Sequence, residues 1–378
     1  MAVAVKEIIE TYNPDAPLAE ASTPPSSWYV DPRILDLELR TVFAGSWQVV
    51  GRAEQVREPG QYITCKLARE PILVVRGNDG VLRGFFNVCR HHAATVMTKP
   101  EGKTQTFRCP YHGWTYNLDG ALIVTPEFAG VRNFDRSANG LIPVQAAIWQ
   151  GLVFVKLSPE GPSLEGFLGF DLTQQIRQLS LEKLRWMERR TYILNCNWKV
   201  FVDNYLDGGY HVPHIHGGLN SVLNQGKYTI ETGERFCLQS SPISTVKPDE
   251  QTAAVRKGDR AFYYWIYPNL MINSYEGVMD TNLICPRGVD RTEVIFDFYF
   301  ADTSNTSRER NLASIAVSER IQAEDVAICE SVQRGLASRA YTAGRLSVRR
   351  EAGEHLFHRL LYADLKSGLS NEDSYPPY

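Results

Sequence analysis

The sequence predicts an α+β chain of two domains: a small antiparallel β domain, then a larger domain of strands followed by a long helix. Three observations predict it. The 378 residues exceed a typical domain about two- to threefold. From Trp47 to about Leu157, short β-rich runs alternate with turn signals. From 308 to 337 the pattern is that of one long helix.

The elements follow in chain order. Residues 13–28 are rich in Pro, Ser and Ala and read as an extended lead-in. Residues 35–46 have the apolar spacing of a short helix. The β domain reads in the runs WQVVG, GQYITCKL, PILVVRG, RGFFNVC, QTFRCP, GWTYNL, GALIV and IWQGLVFVKL, with tight turns at Asp79-Gly80 and Asp119-Gly120. After Gly161 helical signals return. RTYILNCNWKVF (190–201) reads as a strand, as do 261–275 and 292–300, and NEDSYPPY (371–378) as a frayed tail. The expected divisions are 1–46, a lead-in and helix packed on the larger domain; 47–160, the β domain; and 161–378, the larger domain.

Composition narrows the function. Hydrophobic residues are 43% and charged residues 22%, as in ordinary globular proteins, and the net charge is -3. Nothing in that balance points to nucleic acid. No run of about 18 apolar residues suggests a membrane span. Residues 1–20 carry Glu7, Glu10, Asp15 and Glu20 and lack a basic region before an apolar core, so a cytoplasmic location is expected. The seven cysteines are an odd number, and reduced thiols in that compartment suit a metal better than disulfides.

The eight histidines are clumped. His91, His92 and His112 lie with Cys89 and Cys109; His211, His214 and His216 form a second group; His355 and His358 remain. In the first group the pattern is Cys89-x-His91, then Cys109-x2-His112. A Cys2His2 zinc site accepts these ligand types. One thiolate and one imidazole from each of two loops also suits a [2Fe–2S] cluster with two Cys on one iron and two His on the other. Pro110 and Gly113 beside the ligands let backbone amides turn toward the sulfurs.

In the second group, DNYLDGGYHVPHIH (203–216), Pro213 between His211 and His216 marks a helix end or an irregular turn. Two His and one carboxylate would form the facial triad of mononuclear non-haem iron. The long helix offers the carboxylate. Val317, Ile321, Ile328, Val332 and Leu336 share a face, Asp325 sits near its centre and Glu324 at its edge. A carboxylate there needs a metal or a partner, such as Arg320 or Arg334.

CRHH (89–92) with CPYHGW (109–114), followed by H-x4-H, resembles the catalytic (alpha) subunits of the Rieske non-haem iron oxygenases. NWKVFVDNYLDGGYHVP (197–213), YPN (267–269), QAEDVAICESVQRGL (322–336), AYTAGR (340–345) and HLFHRLL (355–361) are similar to the choline monooxygenases within that family. The resemblance implies a Rieske [2Fe–2S] antiparallel β domain and a helix-grip (START-like) catalytic domain with an antiparallel sheet and a long C-terminal helix. It assigns the cluster to Cys89, His91, Cys109 and His112, and the iron to His211, His216 and Asp325. Asp207, Asn204 and His214 are the further candidate catalytic residues. Many relatives have an acid three residues before the first iron His, bridging to the cluster His of a neighbouring subunit; here that position is Gly208, and Asp207 would serve with a backbone shift. Position 214 is His where the plant enzymes have Tyr.

The resemblance further implies a homotrimer that receives NAD(P)H electrons through a separate ferredoxin or flavin reductase, since no G-x-G-x-x-G follows a strand here. One oxygen atom of O2 would enter a C–H bond beside the substrate heteroatom, or two an arene. Choline, the substrate it suggests, carries a quaternary ammonium that aromatic faces hold well. Tyr263, Trp265 and Tyr267 would share a strand face as a cage wall, with Tyr275 nearby and Glu276 and Asp280 adding negative charge. Packing of the core explains the same aromatics. An aromatic-ring hydroxylase and an N-demethylase of glycine betaine are the alternatives; a zinc or electron-carrier protein leaves two distinct clusters unexplained.

Overall fold

The computed structural model describes residues 3–244 and 249–370; the tail expected at 371–378 lies outside the described residues. Two units divide the chain, one formed by residues up to Glu38 together with those from Leu168 on, the other by Leu39–Phe167.

The N-terminal stretch contributes α1 (Val5–Glu10), α2 (Ser27–Val30) and α3 (Pro32–Glu38) to the first unit. The helical spacing at 35–46 becomes α3, which runs on into a wider π-type turn at Leu39–Phe43.

The middle unit is β throughout. Its strands are β1 (Gln48–Arg52), β2 (Gln61–Leu67), β3 (Glu70–Arg76), β4 (Leu82–Phe86), β5 (Glu101–Lys103), β6 (Phe107–Arg108), β7 (Thr115–Tyr116), β8 (Leu122–Val124), β9 (Pro143–Trp149) and β10 (Leu152–Lys156). Seven pair in the order β1-β10-β9-β4-β3-β2-β5, and β6-β7-β8 form a smaller sheet. The apolar runs of β3 and β10 are buried on both faces, while the charged β5 closes an edge. Two loops leave this framework, one after β4 and one after β6, and each carries one Cys-His pair. A core of Tyr62, Leu73, Val75, Phe85, Phe107, Trp114 and Tyr116 packs around Cys89 and Cys109.

The larger unit begins with α4 (Leu164–Leu168) at the boundary and α5 (Phe170–Gln178). One antiparallel sheet follows: β11 (Arg185–Leu194), β12 (Thr229–Thr232), β13 (Phe236–Pro242), β14 (Arg260–Ile266), β15 (Leu270–Tyr275), β16 (Val278–Gly288) and β17 (Arg291–Phe300), in the order β11-β17-β16-β15-β14-β13-β12. The run 190–201 is only half strand. Asn197 accepts a hydrogen bond from the Lys199 amide and so caps α6 (Trp198–Leu206), ending the extended chain at Leu194. Short turns α7 (Val212–Ile215), α8 (Gly217–Val222) and α9 (Glu250–Val255) precede the long α10 (Arg308–Leu336) and α11 (Ala352–Ser370). None of the helices among the described residues is long and apolar enough to cross a membrane.

The buried face of α10 differs from the apolar stripe. It consists of Asn311, Ser314, Ile315, Val317, Ser318, Gln322, Cys329, Gln333 and Leu336, and Val332 is 44% exposed. The polar members are buried because they serve polar neighbours: Gln333 accepts from the Asn197 amide, and Ser314 and Ser318 accept from Arg256.

Two buried charged groups tie the helices together. Lys199 Nζ lies 2.6 Å from Glu38 Oε1, and Trp198 Nε1 donates to Glu38 Oε2 at 2.7 Å, joining α6 to α3. Both charges are fully buried; burial pushes the Glu38 carboxyl up and the Lys199 ammonium down from their ordinary values. Asp203 on α6 accepts from Tyr29 Oη at 2.7 Å and meets His358 Nε2 on α11 at 3.0 Å. His358 thus belongs to a hydrogen-bonded brace rather than to either histidine cluster.

Removing one partner of the buried pair leaves the other charge uncompensated. Lys199→Met is expected to cost about 3–5 kcal/mol in chemical denaturation, and Lys199→Met with Glu38→Gln to recover a large part of it. Equal losses in the single and double variants would show that packing, not charge, dominates there.

Candidate metal centres and substrate cavity

In the middle unit the two loops are built alike. Cys89 N donates to Ala94 O and Ala93 N to Cys89 O; in the second loop Cys109 N donates to Trp114 O and Gly113 N to Cys109 O. Ala93 and Gly113 adopt positive φ, 58° and 73°, and turn each loop back on itself. The loops bring the His91 and His112 rings to 4.7 Å between centroids. Cys89 and Cys109 are buried, and the Tyr111 and His112 amides donate to the Cys109 sulfur. Tyr116 Oη lies 3.3 Å from Cys89 Sγ.

The fit to a cluster rests on an orphan. His91 Nδ1 is buried and hydrogen-bonded to no other group, while its ring stacks on Trp114 at 4.6 Å and 8°. Burial and then the His92 and His112 imidazoles hold His91 below its ordinary pKa, which favours the neutral form a metal requires. Two buried sulfurs, two convergent imidazoles and amides aimed at sulfur are the donor set of a Rieske cluster. His92 is exposed beside it.

In the larger unit His211 and His216 flank the helical turn α7, and Asp325 reaches them from the middle of α10. Their nearest ligand atoms lie within 4.8 Å of one another. His216 Nε2 is 3.1 Å, and His211 Nε2 3.8 Å, from Asp325 Oδ1. The outer nitrogens are taken by carboxylates: His211 Nδ1 meets Asp207 Oδ2 at 2.6 Å and His216 Nδ1 meets Glu324 Oε2 at 2.6 Å. Each carboxylate fixes its ring so that Nε2 faces Asp325, an arrangement that orients metal-binding histidines. Asn204 Nδ2 donates to Asp325 Oδ1 at 2.8 Å and aims the third group. Arg320 is engaged with Gln251, Thr252 and Asp249, and Arg334 is exposed.

The backbone shift expected at Gly208 has a physical cause. Gly208 and Gly209 both take positive φ, 68° and 67°. A Cβ at Gly208 would stand 2.1 Å from the Arg350 carbonyl oxygen, and one at Gly209 3.0 Å from the Tyr228 ring. No side chain fits at 208. The double-glycine turn instead brings Asp207 beneath His211, where its carboxylate also accepts from the Tyr210 and His211 amides at 3.1 and 2.9 Å.

A cavity of about 110 Å³ adjoins the triad, lined among others by Asn204, His211, His216 and Asp325. Its aromatic wall is Tyr205, Tyr228, Tyr263 and Tyr275, with Phe201 and Phe296. Tyr263 and Tyr275 join hydroxyl to hydroxyl at 2.6 Å, and Tyr205 donates to Asn273 at 2.8 Å. Asp280, 3% exposed, accepts from Asn273 and Asn282 at 2.7 and 2.9 Å and also lines the cavity; burial raises its pKa.

Four of the expected residues lie elsewhere. Trp265 and Tyr267 share the strand face of Tyr263, but each pair of residues advances the strand about 7 Å. They end beside α11, where Trp265 packs on Phe357 and Tyr267 donates to Asp364. His214 is exposed on the outer side of α7 beside Tyr210, outside the cavity lining. Glu276 is also outside that lining. Conversely, Tyr205, Tyr228, Glu324 and Arg256 were missed. Tyr205 follows Asn204 directly and Glu324 precedes Asp325, so position offered a signal; Tyr228 and Arg256 offered none.

Comparison with known proteins places this geometry. Residues 46–135 match the Rieske [2Fe-2S] domain, and 181–366 the ring hydroxylating alpha subunit (catalytic domain). The chain is 40% identical to the chloroplastic choline monooxygenase of Arabidopsis thaliana, over 96% of this chain and 87% of that one. It is 32% identical to the carnitine monooxygenase oxygenase subunit of Escherichia coli (strain K12), over 90% and 93%. A quaternary ammonium Rieske monooxygenase in complex with L-carnitine superposes with a TM-score of 0.80 at 28% identity, over 96% and 99%.

Two outcomes test the site. Asp325→Ala is expected to remove the mononuclear iron, read by metal analysis, and to leave the visible absorption of the cluster intact. Gly208→Glu, which returns the acid of many relatives to its usual position, is expected to destabilise by about 2–3 kcal/mol and not to rescue Asp207→Asn, itself about 10- to 100-fold weaker in iron affinity or rate. A rescue would sink the assignment of Asp207.

Proposed function

The chain belongs to the Rieske non-haem iron oxygenases as a catalytic alpha subunit, and on that premise we propose that it oxygenates a quaternary or N-methylated amine, with choline the first to test. The observation that carries the substrate reading is the cavity beside the triad, walled by four tyrosines and holding the buried carboxylate of Asp280. Tyrosine faces attract a cation that cannot donate hydrogen bonds, and Asp280 supplies the opposite charge. The cofactors of the family supply O2 activation at iron and electrons from a reductase through the cluster.

The chain's residues set the geometry. His211, His216 and Asp325 would hold the iron, and Cys89, His91, Cys109 and His112 the cluster. Asp207, Glu324 and Asn204 keep the iron ligands in place. The aromatic wall fixes the ammonium so that a neighbouring C–H faces the triad and bulk water is kept out. With choline, one atom of O2 enters the C–H bond of the carbinol carbon, giving the aldehyde hydrate; the other leaves as water with two electrons and two protons.

We further read a head-to-tail homotrimer. A solved relative is described in terms of inter-subunit electron transfer. Here the cluster ligand His112 and its neighbour Tyr111 are exposed, as a docking face requires. Asp207 is the residue placed to bridge such a contact to His211. All seven cysteines are free of disulfide bonds, as suits a reducing, cytoplasmic setting.

Oxygen uptake and product mass with choline, glycine betaine and a panel of arenes test this reading. Oxidised or demethylated amine supports it; a hydroxylated arene with no response to amines overturns it. Because burial raises Asp280, the carboxylate that attracts the cation is present above its raised pKa and lost as pH falls through it. Amine affinity is expected to fall on acidification in the native enzyme, with that pH dependence absent in Asp280→Asn.

A further inference from the structure

Arg256 ends α9 and lines the cavity. It is 3% exposed, yet among the described residues no carboxylate pairs with it. Nη1 donates to Ser314 Oγ at 2.7 Å and Nη2 to Ser318 Oγ at 2.5 Å, both neutral. The guanidinium carbon stands 4.8 Å over the Tyr275 ring, and Nε is buried without a hydrogen-bond partner. Glu250 and Asp259, the nearest acids along the chain, are exposed; Asp249 is committed to Thr252 and Arg320, and Asp280 to Asn273 and Asn282.

Two hydroxyls and a ring do not by themselves offset the loss of hydration of a full charge; the Asp280 carboxylate, whose pKa Arg256 lowers against burial, offsets part of it through space. Its fork is shaped for a carboxylate. The cavity wall thus holds one cation, Arg256, and one anion, Asp280. A singly charged cation such as choline would leave the wall with one surplus positive charge. A zwitterion would satisfy both groups at once. Tyr275 ties the two ends together: it lies beneath Arg256 and bonds to Tyr263 of the aromatic wall, so ammonium and carboxylate would sit only a few atoms apart.

We propose that Arg256 receives the carboxylate of the substrate, and that the preferred substrate is a zwitterionic N-methylated amino acid or betaine rather than choline. This rests on the quaternary-amine reading above. It adds a specificity-determining residue, Arg256, and a second recognised group.

Choline and glycine betaine share the trimethylammonium and differ in a hydroxymethyl against a carboxylate, so they isolate the effect. Equilibrium binding of each to the anaerobic holoenzyme, by calorimetry, is the test. Glycine betaine is expected to bind at least about tenfold tighter than choline. Arg256→Gln is expected to weaken betaine by about tenfold to a hundredfold and to tighten choline, reversing the order, while Arg256→Lys keeps part of the preference. Tighter binding of choline than betaine to the native enzyme overturns the proposal and leaves the amine reading standing. An equal loss for both ligands in Arg256→Gln and Arg256→Lys also overturns it, by assigning Arg256 a structural role. If neither amine binds while an arene does, the amine reading itself fails. Should Arg256→Gln not fold, the native ratio and Arg256→Lys decide.

Discussion

Two imidazoles must present the same nitrogen to one carboxylate, and the larger unit is organised around that constraint. An imidazole turns freely about two bonds, and either nitrogen can face a metal. Asp207 on His211 and Glu324 on His216 remove that freedom by occupying both Nδ1 atoms. The two carboxylates come from different places, one at the end of α6 and one on α10. The triad is therefore only as well formed as the packing of α6 against α10. The buried pair of Lys199 with Glu38 and the Asp203–His358 contact brace α6 from its other sides.

This explains why so much of the interior is polar. α10 turns Ser314, Ser318, Gln322 and Gln333 inward where leucines would pack well. Ser314 and Ser318 hold the Arg256 guanidinium, and Gln333 holds the cap of α6. An interior built this way gains less from apolar burial and more from fixed orientation. It suits a site in which a ligand atom displaced by an ångström loses its purpose.

The cavity follows the same logic in its charges. Asp280 is held by two amides and Arg256 by two hydroxyls, and the two charges offset each other in part through space. Separated, under-paired charges of opposite sign are costly in an empty pocket and are satisfied by a molecule carrying both signs. The tyrosines between them add a surface on which a methylated ammonium rests without needing hydrogen bonds.

What the sequence by itself determined is the chemistry written into short, contiguous segments. CRHH, CPYHGW and YHVPHIH hold their ligands within a few residues, so local spacing already limits what they can bind. The α+β order, the β runs of the middle unit and the span of α10 were equally legible, because strand and helix periods are local properties. Asp325 was expected from its place on α10 and lies beside His211 and His216, although the stripe that pointed to it is not the face that α10 buries. Only the tertiary structure decided the rest. Position 208 admits no side chain because a carbonyl from residue 350 occupies the space, and the turn there brings Asp207 onto His211. Trp265 and Tyr267 leave the cavity because the strand carries them beneath α11, whereas Arg256 enters it from a short helix with no motif of its own. Ligand identity follows from neighbours along the chain; cavity shape and the charges that face a substrate depend on residues that meet only across the fold.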